Sequence, residues 1–296
     1  YSKSNINMNP SNASSADDEG EPERTALYFN STIFFIIFFF ACHPPLNPEE
    51  ERKQMKLLLP DSTTAKKPVQ KPARKKTIYI TFDDGPNKGT SSVLRVVQEE
   101  QMPVSFFVVG EHVYDSKWQQ QQWDSLQQCP YAEIYNHSYT HAQHNRFAVF
   151  YKSDSTVVAD FKRCQDSLQL TTTIARTPGR NIWRTPMITA TDMAQSKTAA
   201  DSMYAKGFTI VGWDAEWFYT GDSLKLKQSG EEMFQQVDSM LTHQKTKIPG
   251  HIVLLTHDQS FADSVDAAQL QRFMRLVKEK SEYGVEFVSR YPGLKQ

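Results

Sequence analysis

From residue 77 onward, short runs of β-forming apolar residues alternate with amphipathic stretches. No other feature of the chain restricts its fold as much. Residues 77–82 read as a strand. Residues 91–101 read as a helix, with Val93, Leu94, Val96 and Val97 on one side. Residues 104–109 form a nearly continuous apolar run closed by Gly110, which suits a strand buried on both faces. The rhythm continues with helices over 117–128, 156–168, 191–206, 231–241 and 266–280. Strands are predicted over 132–135, 173–175, 208–213, 251–256 and 285–289. Strand-then-helix repetition predicts parallel βα units around one sheet or barrel, spanning 77–296 as a single domain.

The residues just past these strands carry chemistry. Asp83 and Asp84 follow the first, His137 and His141 the third, and Arg176 and Pro178 the fourth. Asp214 and Glu216 end the strand 208–213, and His257 and Asp258 end the strand 251–256. In a parallel βα barrel all the carboxyl ends of the strands share one face, where active sites are built. Two adjacent carboxylates repel, so keeping both Asp83 and Asp84 charged calls for a cation. His137 and His141 are four apart, a spacing that can bring two imidazoles to one metal, and Asp84 would complete an Asp-His-His set suited to a divalent ion such as zinc. Taken singly, the aspartates read as a turn and helix cap, and the histidines as a surface pair. Asp214 and Glu216 are two apart and can face the same way on a strand, so either can be the acid that supports His257; Asp214 is favoured.

The net charge of −1 gives no whole-chain case for nucleic-acid binding. Cys42, Cys129 and Cys164 make no disulfide framework. Cys129 and Cys164 read as buried thiols, with a disulfide the alternative in an oxidising compartment. Residues 1–26 are polar and acidic and read as disordered. The apolar run 33–42 has the length of a signal-peptide core and ends in a small residue followed by Cys42. It resembles a bacterial lipoprotein signal with Cys42 lipidated; a cleaved secretory signal, an uncleaved anchor or a buried helix are the alternatives. The first three place the domain outside the cytoplasm, in the cell envelope or secreted, with 1–42 as signal or membrane anchor. Residues 43–76 are rich in Pro and Lys and read as a tether, or as a basic arm lying on anionic lipid or wall polymer.

Taken in order, the strand-end residues resemble a known family. Thr81, Phe82, Asp83, Asp84 and Gly85 look like its first motif, and residues 105–110 like the strand that follows. Asn136, His137, Ser138 and His141 look like its second motif, Arg176 and Pro178 its third, and Leu255, Thr256 and His257 its fifth. The family is the polysaccharide deacetylases with a NodB-homology domain, carbohydrate esterase family 4. The resemblance implies a distorted (β/α)7 barrel acting on an acetylated polysaccharide; a monomer is the expected state. It also implies a divalent metal, zinc first, with cobalt or nickel as alternatives. Carried over, Asp83 is the general base, and Asp84, His137 and His141 are the metal ligands. His257 is the general acid, and Arg176 keeps Asp83 ionised and oriented. The backbone N–H of Gly179, just after Pro178, holds the oxyanion, and Leu255 and Trp217 line a pocket for the acetyl methyl.

Two departures stand out. Gly179 and Arg180 follow Pro178 where the family has an aromatic residue and Gly. The fourth motif is shortened to Asp214, Ala215, Glu216 and Trp217. The expected reaction is removal of N-acetyl groups from N-acetylglucosamine in peptidoglycan or a chitin-like polymer. An O-acetyl esterase acting on xylan or another polysaccharide is the alternative. A non-catalytic carbohydrate-binding lipoprotein is the rival, and it would not need this set of side chains. His112 and His144 read as loop residues, His243 and His251 as surface positions, and Phe147, Phe150 and Tyr151 as a sugar-stacking rim or a packed loop.

Overall fold

A computed structural model describes residues 76–294. The signal or anchor expected over 1–42, Cys42 with it, and the tether up to residue 75 lie outside the described residues. The chain runs β1 (Lys76–Asp83), α1 (Thr90–Glu100), β2 (Val104–Val108), α2 (Lys117–Gln128), β3 (Ala132–Asn136), α3 (Asp154–Ser167) and β4 (Ile174–Ala175). It continues through β5 (Ile182–Arg184), β6 (Thr189–Thr191), α4 (Lys197–Ala205), β7 (Thr209–Ile210) and β8 (Ala215–Glu216). The last elements are α5 (Gly230–Thr242), β9 (His251–His257), α6 (Ser264–Glu279) and β10 (Tyr283–Val285). Seven strands pair in parallel in the order β8-β9-β1-β2-β3-β4-β7. β5 and β6 extend that sheet antiparallel beyond β7, and β10 pairs with the start of β1. The fold is the distorted (β/α)7 barrel expected from the sequence.

β1 lies inside this order and is buried on both faces. Ile78, Ile80 and Phe82 point outward into the core shared with α1, α5 and α6, where each fully buried side chain contributes about 1.5–3 kcal/mol. Tyr79 points inward with Phe107, Tyr135 and Val253. Thr81 and Asp83 continue that inner row, so the inner face of β1 is polar where it reaches the carboxyl end. Helix ends are set locally. Ser153 caps α3 by accepting from the Thr156 N–H, and Ser229 and Glu232 form a reciprocal capping box on α5.

Some expected elements are shorter or shifted. The helix expected over 191–206 is confined to Lys197–Ala205, because Thr189–Thr191 is drawn into a hairpin with Ile182–Arg184. The strand expected over 208–213 keeps ladder pairing only at Thr209–Ile210. The last strand is Tyr283–Val285 instead of 285–289, and Val288–Arg290 is a 3-10 turn. Cys129 and Cys164 are buried free thiols. His251 is not a surface position: its Nδ1 meets the Tyr79 hydroxyl at 2.9 Å and its ring stacks on Tyr79. Among the described residues no helix is long and apolar enough to cross a membrane.

Candidate metal centre and cleft

Strand register assembles the site. β1 and β9 pair with Asp83 directly opposite His257. β3 and β4 pair at Asn136 and Ala175, so His137 and Arg176 leave the sheet side by side. β8 pairs with β9 at Glu216 and Leu255. These carboxyl ends open into one cleft of about 790 Å³, lined by Asp83, Asp84, His137, His141, Glu216 and His257, with Leu255 and Gly179 on its walls.

Arg176 is wholly buried beneath the cleft and satisfied at every turn. Its Nη1 donates to Asp83 Oδ1 at 2.8 Å and to Thr81 Oγ1 at 2.7 Å. Nε donates to the Val211 carbonyl at 3.1 Å, and Nη2 donates to the Gly212 carbonyl at 2.9 Å. The guanidinium also lies 4.1 Å from the centre of the Phe107 ring. Burial pulls the Arg176 pKa below its usual value, and the charge of Asp83 opposes that pull. Asp83 is therefore pinned through Oδ1, while its Oδ2 faces His137 Nε2 at 3.7 Å.

Asp84 sits at φ 73, a left-handed conformation that a non-glycine residue adopts only under restraint. The restraint comes from β2's end. His112 Nδ1–H donates to the Asp84 carbonyl at 2.7 Å, and the Val109 N–H donates to the Gly85 carbonyl at 3.1 Å. Asp84 Oδ1 lies 3.4 Å from His137 Nε2 and 3.1 Å from His141 Nε2. These three ligand atoms lie within 4.8 Å of one another. The Nδ1–H of His137 is committed to the Arg176 carbonyl at 3.1 Å, and that of His141 to Asn145 Oδ1 at 2.5 Å. Both imidazoles thus turn an Nε2 lone pair toward a carboxylate oxygen that is buried and has no hydrogen-bond partner among the described residues. Three converging lone-pair donors of this kind fit a divalent cation of the zinc type. Burial opposes the charge on Asp84 and on His141, but at Asp84 the contacts with His137 and His141 and the charge of His257 outweigh it, and at His141 the contact with Asp84 does. Asp84 is held well below the usual carboxylate range and His141 above the usual imidazole value.

His141–Asn145 is a left-handed turn of consecutive positive-φ residues, none of them glycine. Left-handed helix costs roughly 1–2 kcal/mol per residue, so this turn persists only because neighbours hold it. One neighbour is Gly110: a side chain there would strike the Tyr139 ring at 2.5 Å, and its N–H donates to the Ser138 carbonyl at 3.0 Å. On the opposite wall Gly179 has φ 61, and a Cβ there would strike Phe147 at 2.8 Å.

Trp217, Asp214 and Pro178, all expected at the site, lie outside the cleft lining. Trp217 is fully buried in the outer core against Phe261 and Phe273, and its Nε1–H donates to the Gln228 carbonyl. Trp213 and Phe218 face the cleft in its place. Asp214 is not at the cleft. Its oxygens accept from the backbone N–H groups of Lys247 (2.7 Å) and Val253 (2.9 Å), tying the start of β8 to β9 and to the loop before it. Glu216 lines the cleft instead; burial raises its pKa and the charge of His257 opposes the rise. His257 Nε2 is 3.8 Å from Asp84 Oδ2, and its Nδ1 has no hydrogen-bond partner among the described residues. Pro178 is buried, its carbonyl accepting from the Tyr151 hydroxyl at 2.7 Å. Phe147 reaches the cleft, whereas Phe150 and Tyr151 are core residues.

Other residues reach the cleft or back it. Glu111, for which there was no expectation, and His112, expected as a loop residue, lie just past β2 and line the cleft. His144, expected as a loop residue, does reach the cleft, with Nε2 3.2 Å from Glu111 Oε1. Tyr219 sets its ring 5.2 Å from that of His257. Asp258, wholly buried behind the cleft, is pushed up to about 7 by burial, against hydrogen bonds from Asn87 and Thr90.

Residues 70–206 match the family model described as polysaccharide deacetylase. A chitooligosaccharide deacetylase of Rhizobium leguminosarum bv. trifolii is 51% identical over 41 residues, 14% of this chain and 19% of that protein. Chitin deacetylase 1 of Cryptococcus neoformans is 26% identical over 197 residues, 64% of this chain and 38% of that protein. The chain therefore spans well under two thirds of the length of these curated relatives. A solved family 4 carbohydrate esterase of Streptococcus mutans superposes with a TM-score of 0.52 at 20% identity, covering 71% of this chain and 86% of that one.

Proposed function

We propose that this chain, whose residues 70–206 match the polysaccharide deacetylase family model, is a metal-dependent hydrolase removing N-acetyl groups from N-acetylglucosamine units of a glycan such as peptidoglycan or a chitin-like polymer. One observation carries the reading: the Asp84, His137 and His141 donor set converges beside an aspartate that Arg176 pins by one oxygen only. A divalent ion held by those three residues would supply Lewis acidity toward the acetyl carbonyl and toward a water. Asp83 accepts the attacking water's proton at Oδ2, the oxygen that Arg176 leaves free. The Gly179 N–H donates to the oxygen of the tetrahedral carbon. His257, protonated, gives a proton to the sugar nitrogen as its bond to carbon breaks, yielding acetate and a free amine. Leu255 and Trp213 offer apolar contact to the acetyl methyl. The lining includes Asp83, Asp84, Glu111 and Glu216 but neither Lys nor Arg among the described residues, a charge pattern that suits an uncharged acetylated sugar better than an anionic one.

The test is acetate release from a panel of N- and O-acetylated glycans by the zinc-loaded protein. Release from N-acetylglucosamine polymers is the expected result. Release only from O-acetylated xylan would replace the substrate assignment, and binding without any release would remove the enzyme assignment.

In this reading Glu216, which lines the cleft and feels the charge of His257, supports the His257 cation, so Glu216→Gln and Asp214→Asn should part company. Glu216→Gln lowers kcat about tenfold, equivalent to roughly 1.4 kcal/mol of charge stabilisation, with little change in Tm. Asp214→Asn weakens hydrogen bonds from two backbone amides, lowering Tm while the folded fraction keeps its kcat. Thermal melts and steady-state rates of both variants decide this, and the reverse pattern would return the supporting role to Asp214.

A further inference from the structure

The loop that carries both histidines is gripped from outside by a residue that touches neither. Asp160, on α3, accepts through Oδ2 from the backbone N–H groups of Tyr139 (3.0 Å) and Thr140 (3.2 Å), and through Oδ1 from the Thr140 hydroxyl (3.0 Å). That same Thr140 oxygen accepts from the Gln143 N–H at 2.9 Å, and the Thr140 carbonyl accepts from the His144 N–H at 2.8 Å. Thr140 is thus the cap of the left-handed turn, and Asp160 fixes the cap. α3 adds two further holds. Asn136 Nδ2 donates to the Phe161 carbonyl at 2.8 Å, and the Arg163 guanidinium lies 3.6 Å from the centre of the Tyr139 ring.

We propose that Asp160 is a positioning residue for the metal ligands His137 and His141, acting through Tyr139 and Thr140; the proposal rests on the metal-binding reading above. An ionised carboxylate can take several donors at once, and here all three come from the short link between the two histidines. His137 has ties of its own, its N–H to the Val108 carbonyl at 3.0 Å and its ring to Arg176. His141 begins the positive-φ run and depends on the cap for its direction. Loss of Asp160 therefore displaces His141 more than His137, and it weakens the metal site without erasing it.

The experiment measures zinc affinity of metal-stripped full chain by competition with a chromophoric chelator, together with the visible spectrum of the cobalt(II) form. Asp160→Ala should weaken zinc binding by about 10–100-fold, the usual consequence of losing an outer support of a metal site. Its cobalt bands should shift. Asp160→Asn keeps an acceptor for the two amides and should recover part of both signals. Zinc affinity equal to wild type in folded Asp160→Ala, whatever its Tm, overturns the proposal. Should Asp160→Ala fail to fold, Asp160→Asn and Thr140→Val give the same reading, and unchanged affinity in both overturns it. Wild-type protein that binds no zinc overturns this proposal and the functional reading together, whereas equal binding by wild type and variant overturns this one alone.

Discussion

Asp83→Asn should retain the bound metal and lose about 10²–10⁴ in kcat, the usual contribution of a general base. The expectation follows from how the two aspartates divide their partners. Asp84 Oδ1 lies among the histidine nitrogens, whereas Asp83 Oδ1 is taken by Arg176 and its Oδ2 is left for a proton. An asparagine at position 83 keeps an acceptor for the Arg176 guanidinium and almost the same volume, so the floor of the cleft should persist. It cannot take a proton from water. Zinc content and kcat are measured on the same preparation, beside His137→Ala, which should lose metal as well as turnover. Equal zinc content in the two variants would break this division of roles, as would a kcat for Asp83→Asn within a few-fold of wild type.

The second large effect is on stability. Arg176→Met removes the guanidinium paired with Asp83 and strips donors from Thr81, Val211 and Gly212, all in a fully buried site. Breaking one side of a buried pair typically costs about 3–5 kcal/mol, because the other charge is left uncompensated. For a domain of this size that corresponds to a fall in Tm of about 6–20 °C. Arg176→Lys should recover only part of it, since a single ammonium cannot reproduce donors aimed in several directions. The double variant Asp83→Asn with Arg176→Met should be less destabilised than the sum of the single variants, the residues being in direct contact. A melt of Arg176→Met within about 2 °C of wild type would contradict the account of this ion pair.

The longer strands, β1, β2, β3 and β9, could be read from hydrophobic pattern because they are long enough to have one. β1 and β2 are mostly apolar and buried on both faces, and α2 matches its expected bounds. β5, β6 and β8 were not legible: two or three residues cannot display a period, and only pairing with neighbours makes them strands. The misplacement of Trp217 was avoidable. Adjacent residues on a strand point to opposite faces, so Glu216 and Trp217 could not both enter the cleft. Asp214 was harder, because alternation puts it on the same face as Glu216, and only the backbone amides of Lys247 and Val253 turn its carboxylate away. Asp160 carried no sequence signal at all. A mid-helix aspartate reads as a solvated charge until the loop it holds is folded against it.

The central claim is that Asp84, His137 and His141 hold a metal on which acetate release depends. Acetate release from an N-acetylglucosamine polymer, followed as metal-stripped protein is titrated with zinc, tests it most directly. The account predicts negligible release without zinc, a rise that saturates near one equivalent, and no rise for His137→Ala. Undiminished release by the metal-stripped wild type, or a zinc response in His137→Ala equal to wild type, would contradict it.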